Sequence, residues 1–200
     1  MIAILGLAIA YLLGGIPFGY LLVKLTTGQD VRQSGSGNIG ATNVLRTTGR
    51  AAGVATLLLD IGKGYLAAWL EGRITGGDIR WMSAAALCVM IGHSYSIYLH
   101  FRGGKAVAAF VGAWLYVTPL PLVATLVVFF ALVGWTRHIS LGSIIAAGVF
   151  PLAVWLIAHP PLGVVVSAIL SGALIIYRHR ENIVRLREGN ESVFSFGSRK

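Results

Sequence analysis

An all-α, polytopic membrane helix bundle of seven transmembrane helices, with its N-terminus outside and its C-terminus in the cytoplasm, is the fold this sequence predicts. Three observations predict it. Of the 200 residues, 56% are hydrophobic, and the mean hydropathy is +0.78. Charged residues make up 12%, against about 25% in soluble chains. The Lys and Arg residues gather between apolar runs, and they do so unevenly.

The runs follow in order. Met1–Val23 is long enough to span, and it lacks the basic leader and small-residue cleavage site of a signal peptide, so it reads as a retained helix over 2–23. Runs at 51–70 and 81–99 give the next two spans. Ala106–Trp135 is one apolar stretch interrupted by Thr118-Pro119-Leu120-Pro121. It is either one long kinked helix or two helices over 105–118 and 121–135, and two prolines so close favour the break. Runs at 141–158 and 161–177 complete the set, all within a single domain over 1–200.

Charge parity supports seven. With that number, Lys24, Arg32, Arg46, Arg50, Arg102, Lys105, Arg137, Arg178, Arg180, Arg185, Arg187, Arg199 and Lys200 fall on one side. Of the 16 Lys and Arg residues, only Arg73 and Arg80 fall on the other, and Lys63 lies inside a span. Six spans would put the C-terminal cluster opposite the long basic loop, against the positive-inside rule. The net charge of +9 is thereby explained by topology and implies no nucleic-acid partner. Cys88 is the only cysteine, which excludes an intrachain disulfide and a Cys-based metal site and leaves a small packing residue.

Polar chemistry concentrates in five places. Residues 28–49 carry Gly35, Gly37, Gly40 and Gly49, with Ser36, Asn38, Thr42, Asn43 and Arg46 between them. Small residues, backbone N–H groups and a fixed cation suit a phosphate, although Gly and Ser also build plain linkers. Asp60 and Lys63, spaced i, i+3 inside an apolar run, share a helix face. Ions at that depth must face the interior, either positioning a substrate or forming an ion pair that orients the helix. His93 leads through Ser94–Phe101 to Arg102-Gly103-Gly104-Lys105, where glycine amides and an ammonium at a helix start suit a second anion. Arg137–Ser143 turns into a helix, with Ser140 as its expected N-cap and the Ser143 hydroxyl left to face a site. Tyr177–Asn182, with His179 between Arg178 and Arg180, is richer than a membrane anchor requires.

Absences narrow the chemistry. Only seven acids exist, so a carboxylate-held metal site is not expected. No G-x-S-x-G elbow or Walker A motif is present. Two anion sites in a helical bundle open to lipid suggest a transferase that joins a phosphorylated, water-soluble acceptor to an acyl chain by positioning and electrostatics. The rival is a transporter or channel for phosphate esters, but it would need the repeated halves or paired broken helices that the sequence lacks.

The segments S-G-S-G-N-I-G-A-T-N-V-L-R (34–46), L-D-I-G-K-G (59–64), G-H-S-Y-S-I-Y-L-H-F-R-G-G-K-A-V-A (92–108) and I-Y-R-H-R-E-N (176–182) resemble the motifs of the bacterial acyl-phosphate:glycerol-3-phosphate acyltransferases, the PlsY type. Gly15–Tyr20 and Ser140–Ser143 match as well, and the order is kept over almost the whole chain. The resemblance implies a seven-helix enzyme of the bacterial inner membrane with a cytoplasmic site and no cofactor. Its partners would be glycerol 3-phosphate, acyl phosphate and membrane lipid. The acyl group would pass to the sn-1 hydroxyl, giving lysophosphatidic acid and phosphate. By the same resemblance Ser36, Arg46, Lys105 and His179 are the catalytic set. Within the substrate-binding set, Asn38, Thr42 and Asn43 shape the pocket, Gly103 and Gly104 hold the donor's phosphate, and Ser143, Arg178 and Asn182 bind substrate. Asp60, Lys63 and His93 are read from the residues alone as structural or positioning. Three residues depart from the family pattern: Ser96 stands in place of proline, Ala106 of glycine and Ala109 of threonine. For the base, His179 and the acceptor's own phosphate remain alternatives, and the resemblance favours the phosphate.

Overall fold

The computed structural model describes residues 1–194, and among these every regular element is helical. Arg199 and Lys200, assigned above to the cytoplasmic side, lie outside the described residues. The chain divides into two compact units, Met1–Val117 and Thr118–Lys200.

The first unit holds α1 (Ile2–Gly15), α2 (Phe18–Thr27), α3 (Ala41–Thr48), α4 (Arg50–Ile74), α5 (Ile79–Ser94) and α6 (Val107–Val117), with single 3-10 turns at Val31–Gln33 and Ile97–Leu99. The uninterrupted helix expected over 2–23 is broken at Ile16-Pro17. Proline has no N–H and pushes the residue before it out of the helical region, and Ile16 accordingly sits at φ −58, ψ 115. The break leaves two carbonyls without helical donors. Ser96 Oγ donates to the Gly15 oxygen at 2.6 Å, and Lys63 Nζ donates to the Ile16 oxygen at 2.8 Å. The hydroxyl at position 96, where the family pattern has proline, therefore closes the end of α1.

Helix α4 shows an inverted distribution of polarity. Leu57, Leu58 and Trp69 are exposed, while Asp60, Lys63 and Glu71 are buried. A helix that faces hydrocarbon outward and shelters its ions inward behaves this way. It packs closely on α6 because both carry glycine at the contact. A methyl group on Gly64 would overlap the Ala109 carbonyl, and one on Gly112 would overlap the Ile61 carbonyl. Helices α1 and α5 meet by the same device at Gly14 and Gly92. Between the helices the core is filled by Val89, Met90, Phe110 and Trp114.

The second unit comprises α7 (Pro119–Thr136), α8 (Ile139–Ala153), a π-helical turn at Val154–Ala158, α9 (Leu162–Arg178) and α10 (Arg180–Arg187). The long apolar stretch 106–135 thus breaks at Thr118. Pro119 and Pro121 fall in the first turn of α7, where no amide donor is required. Pro151 lies inside α8 and deprives the Ala147 carbonyl of its helical donor. That carbonyl lies against Gly172 of α9, where a methyl group would overlap it. Phe150, Leu122, Val154 and Val164 are fully buried in this unit.

Among the described residues, five helical runs are long and apolar enough to cross a membrane: Ile2–Thr27, Arg50–Ile74, Ile79–Leu99, Pro119–Thr136 and Ile139–Ala158. Leu162–Arg178 and Arg180–Arg187, bent by 56° at His179, add a sixth when the pair is counted as one span. Helix α6 has 11 residues, about 16 Å at 1.5 Å per residue, roughly half the thickness of a bilayer core.

Candidate functional site

The glycine-rich segment 28–49 is a folded element. Its apolar residues Val31, Ile39 and Val44 bury themselves with Val23 and Leu99, and Tyr20 and Ala52 pack alongside. This small core excludes the linker reading. Asn43, 2% exposed, holds the segment's shape. Its Nδ2 donates to the carbonyls of Asn38 at 2.8 Å, Ser34 at 3.0 Å and Val31 at 3.3 Å, and its Oδ1 accepts the Ser36 N–H at 2.8 Å. The Asn43 amide is thus engaged by the backbone of its own segment, as a residue that shapes the pocket would be. Asn38 does likewise, accepting the Gly40 N–H at 2.8 Å. Gly35 is required where it stands. Its φ is +60, and a methyl group there would overlap Asn43 Oδ1. The wealth of unpaired N–H groups anticipated for this segment is reduced accordingly, since the Ser36, Gly37 and Gly40 amides all have internal acceptors. Ser36 and Arg46 are exposed, and Thr42 is half-buried. Arg32 is held by Asp30 through two parallel contacts, Nε to Oδ1 at 3.0 Å and Nη2 to Oδ2 at 2.6 Å.

The Gly103-Gly104-Lys105 turn follows the same logic. Its glycine amides were expected to be open to an anion. Instead the Gly103 N–H donates to the Ser94 carbonyl at 3.1 Å and the Gly104 N–H to the His93 carbonyl at 3.0 Å. They close the end of α5, whose last carbonyls have no helical donor. What glycine supplies here is the missing side chain. A methyl group on Gly103 would overlap the His93 carbonyl, and one on Gly104 would overlap His93 Nε2. The turn is also strained: His100, Phe101 and Ala106 have φ of +52, +62 and +61, a region that L-residues enter at a cost of about 1–2 kcal/mol each. The left-handed φ of Ala106 is one that glycine adopts without strain. Lys105 is half-buried at the end of this turn.

Asp60 and Lys63 face inward, as their depth demands. Their side chains are both 3% exposed and pair at 2.8 Å, and His93 Nδ1 lies 3.6 Å from the same Asp60 oxygen.

In the second unit, Ser140 is not the N-cap of α8. That position belongs to His138, and Ser140 Oγ donates to Glu191 Oε1 at 2.9 Å. Ser143 is buried, and its hydroxyl proton goes to the Ile139 carbonyl at 2.9 Å, so only its oxygen lone pairs can face a ligand. His179 is 3% exposed, with Nδ1 2.8 Å from the Ile175 carbonyl. A carbonyl only accepts, so Nδ1 carries the proton, and in the neutral ring Nε2 is the basic nitrogen. Asn182 Nδ2 donates to Glu191 Oε1 at 2.8 Å, and Arg185 Nε to Glu191 Oε2 at 2.8 Å. Burial pushes the Glu191 carboxyl up, but hydrogen bonds from Asn182, Arg185 and Ser140 outweigh it and hold the group below the usual range. Sequence reasoning missed Glu191. Of its three partners only Arg185 and Asn182 are near in sequence, and nothing in R-L-R-E-G-N-E (185–191) marks Glu191 apart from Glu188. Arg178 is half-buried at the end of α9.

The family described as "Glycerol-3-phosphate acyltransferase" matches residues 4–189. The chain belongs to that family. It is 48% identical to the glycerol-3-phosphate acyltransferase of Geobacter sulfurreducens, over 94% of this chain and 95% of that protein. With the glycerol-3-phosphate acyltransferase of Geotalea daltonii it shares 46% identity, over 92% and 94%. Among solved structures, PlsY (YgiH), an integral membrane glycerol 3-phosphate acyltransferase, matches in its glycerol 3-phosphate form with a TM-score of 0.91 at 40% identity, over 96% of each chain. Its lysophosphatidic acid form matches with a TM-score of 0.88 at 39% identity, over 96% and 95%. The resemblance read from the motifs is therefore a family relationship spanning nearly the whole chain. Together with the apolar helices, it makes this chain a multi-pass helical membrane protein of an acyltransferase family.

Proposed function

We propose that the chain transfers a fatty acyl group from acyl phosphate to the sn-1 hydroxyl of glycerol 3-phosphate, releasing phosphate and lysophosphatidic acid. The reaction would run on the cytoplasmic face of a bacterial inner membrane, in a seven-span arrangement with the N-terminus outside. One observation carries the reading: the solved relative at 40% identity over 96% of each chain was captured with glycerol 3-phosphate, and again with lysophosphatidic acid. These are the acceptor and the product of one acylation.

In this reading the acceptor hydroxyl oxygen attacks the acyl carbonyl carbon. The bond from that carbon to the bridging oxygen breaks, and inorganic phosphate leaves with the electron pair. Phosphate is already a good leaving anion, so the protein's task is to hold two anions together and provide for one proton. Arg46, Lys105 and Arg178 supply positive charge, with Ser36 and Thr42 as polar contacts beside Arg46. Asn38 and Asn43 set the backbone shape of that segment, and Asn182 and the Ser143 oxygen serve the second unit's part. Gly103 and Gly104 set the course of the turn that presents Lys105 to the donor's phosphate. The proton passes either to His179 Nε2 or to the acceptor's phosphate, whose second pKa is about 6.

The test uses detergent-purified protein with glycerol 3-phosphate and, in turn, acyl phosphate, acyl-CoA and acyl carrier protein. Turnover with acyl phosphate alone, without any sealed compartment, is the expected result; no lysophosphatidate from acyl phosphate would end the reading. In the same assay, His179→Ala decides the base. A kcat within about tenfold of wild type assigns the proton to the substrate phosphate, while a drop of about 10²–10⁴ assigns it to the imidazole.

A further inference from the structure

Lys63, Asp60 and His93 join two distant places in the chain: the helix break before Pro17 and the turn that carries Lys105. At one end, Lys63 Nζ donates to the Ile16 carbonyl at 2.8 Å. The same ammonium pairs with Asp60 at 2.8 Å. Asp60 faces His93 Nδ1 at 3.6 Å, a polar contact just beyond direct hydrogen-bond length. At the other end, the His93 carbonyl accepts the Gly104 N–H at 3.0 Å, and the Nε2 edge of the ring lies where a Gly104 side chain would be. His93 is thus gripped twice by the turn, through its backbone and through its ring, while its opposite edge faces the Asp60 carboxylate.

We propose that Asp60, Lys63 and His93 act as a buried brace whose work is to position the Gly103-Gly104-Lys105 turn for the donor's phosphate. The proposal deepens the reading of acyl phosphate as donor and rests on it. Two physical considerations support it. The first is strain. His100, Phe101 and Ala106 all lie in the left-handed region, and such a stretch keeps its conformation only when surrounding contacts over-determine it. The second is depth. Asp60, Lys63 and His93 are 2%, 4% and 4% exposed, and a buried ion pair is a poor source of net stability when apolar residues would pack as well. Its value is directional: an ammonium fixed to a carbonyl at a helix break holds the carboxylate in place, and the carboxylate sets where the imidazole can sit. Lys105 follows Gly104 directly, so a shift of the ring moves the turn that presents the ammonium. These three residues are positioning residues that act through the turn.

The experiment compares His93→Asn, His93→Leu and His93→Ala in detergent. For each it reads KM for acyl phosphate, KM for glycerol 3-phosphate, kcat, and inhibition by inorganic phosphate competing with the donor. Asparagine can place an amide N–H where Nδ1 stood, whereas leucine fills the space without a polar edge. His93→Leu and His93→Ala should raise the donor KM and the phosphate inhibition constant about ten- to a hundredfold, the scale of a misplacement near 1 Å. The KM for glycerol 3-phosphate should stay within about twofold, and His93→Asn should recover most of the loss. Thermal unfolding of each variant is read alongside. Should His93→Ala not fold, the comparison of Asn with Leu decides alone. The proposal is overturned if Leu keeps wild-type donor constants, if Asn does no better than Leu, or if both KM values rise together. Failure of the donor reading shows differently, as wild-type protein that does not turn over acyl phosphate at all.

Discussion

Asp60→Ala is expected to destabilise the folded protein by about 3–5 kcal/mol, the scale for leaving one member of a buried ion pair without its partner. Lys63 is 4% exposed; without Asp60 its ammonium keeps the Ile16 carbonyl at 2.8 Å and a place 5.6 Å from the Phe18 ring. Neither neutralises a charge inside hydrocarbon. The measurement is thermal or denaturant unfolding in a fixed detergent. The double variant Asp60→Ala/Lys63→Met should recover most of the loss, because it removes the stranded charge and refills the volume with an apolar chain. A double variant as unstable as the single one would show that the ion pair is not the cause. The double variant also separates stability from positioning. It should fold nearly as well as wild type yet keep a raised donor KM, since His93 would then face no carboxylate.

Much of the architecture was legible because hydropathy reports burial in lipid directly. The runs at 51–70, 81–99 and 161–177 each meet a helix, Arg50–Ile74, Ile79–Ser94 and Leu162–Arg178. The inward placement of Asp60 and Lys63 followed from the cost of a charge at that depth. What hydropathy does not register is the backbone. Ile16-Pro17 lies in a run as apolar as its neighbours, and the break there comes from a missing N–H. Helix Ala41–Thr48 was hidden because its polar face dominates its composition, while Val44 alone drives into the small core. The motifs pointed to the right segments, but they did not say where the amide protons go. Gly103 and Gly104 suggested an open anion cradle, yet their N–H groups close the end of the preceding helix. Asn43 stood among the polar residues of the loop, and the partners of its amide within that loop were not legible. Each of these bonds joins residues between five and twelve positions apart, or across a turn, and residue type alone does not specify such pairings.

Glu191→Gln should show the second large effect, and it tests a contact with no signature in the sequence. The carboxylate accepts from three side chains: Ser140 and Asn182 on Oε1 and Arg185 on Oε2. It thereby ties the start of α8, the helix α10 and the chain after it into one arrangement. Glutamine keeps one acceptor and turns the other into a donor, which must face either Arg185 or the pair Ser140 and Asn182. The expected loss is about 2–3 kcal/mol of stability, the range for charged hydrogen bonds left unmet. Asn182 loses its anchor, so kcat/KM should fall about ten- to a hundredfold. The pH dependence carries the sign of the interaction. The Glu191 carboxyl sits below its ordinary value of 4.5 in the folded chain. Its stabilisation is therefore complete above that ordinary value and is lost as pH falls through the lowered one. The stability gap between wild type and Glu191→Gln should be constant from neutral pH down to about 5 and should then close as the wild-type carboxylate takes up its proton. A gap that persists unchanged into strong acid would mean that the carboxylate's charge contributes nothing, and that shape alone holds Asn182 in place.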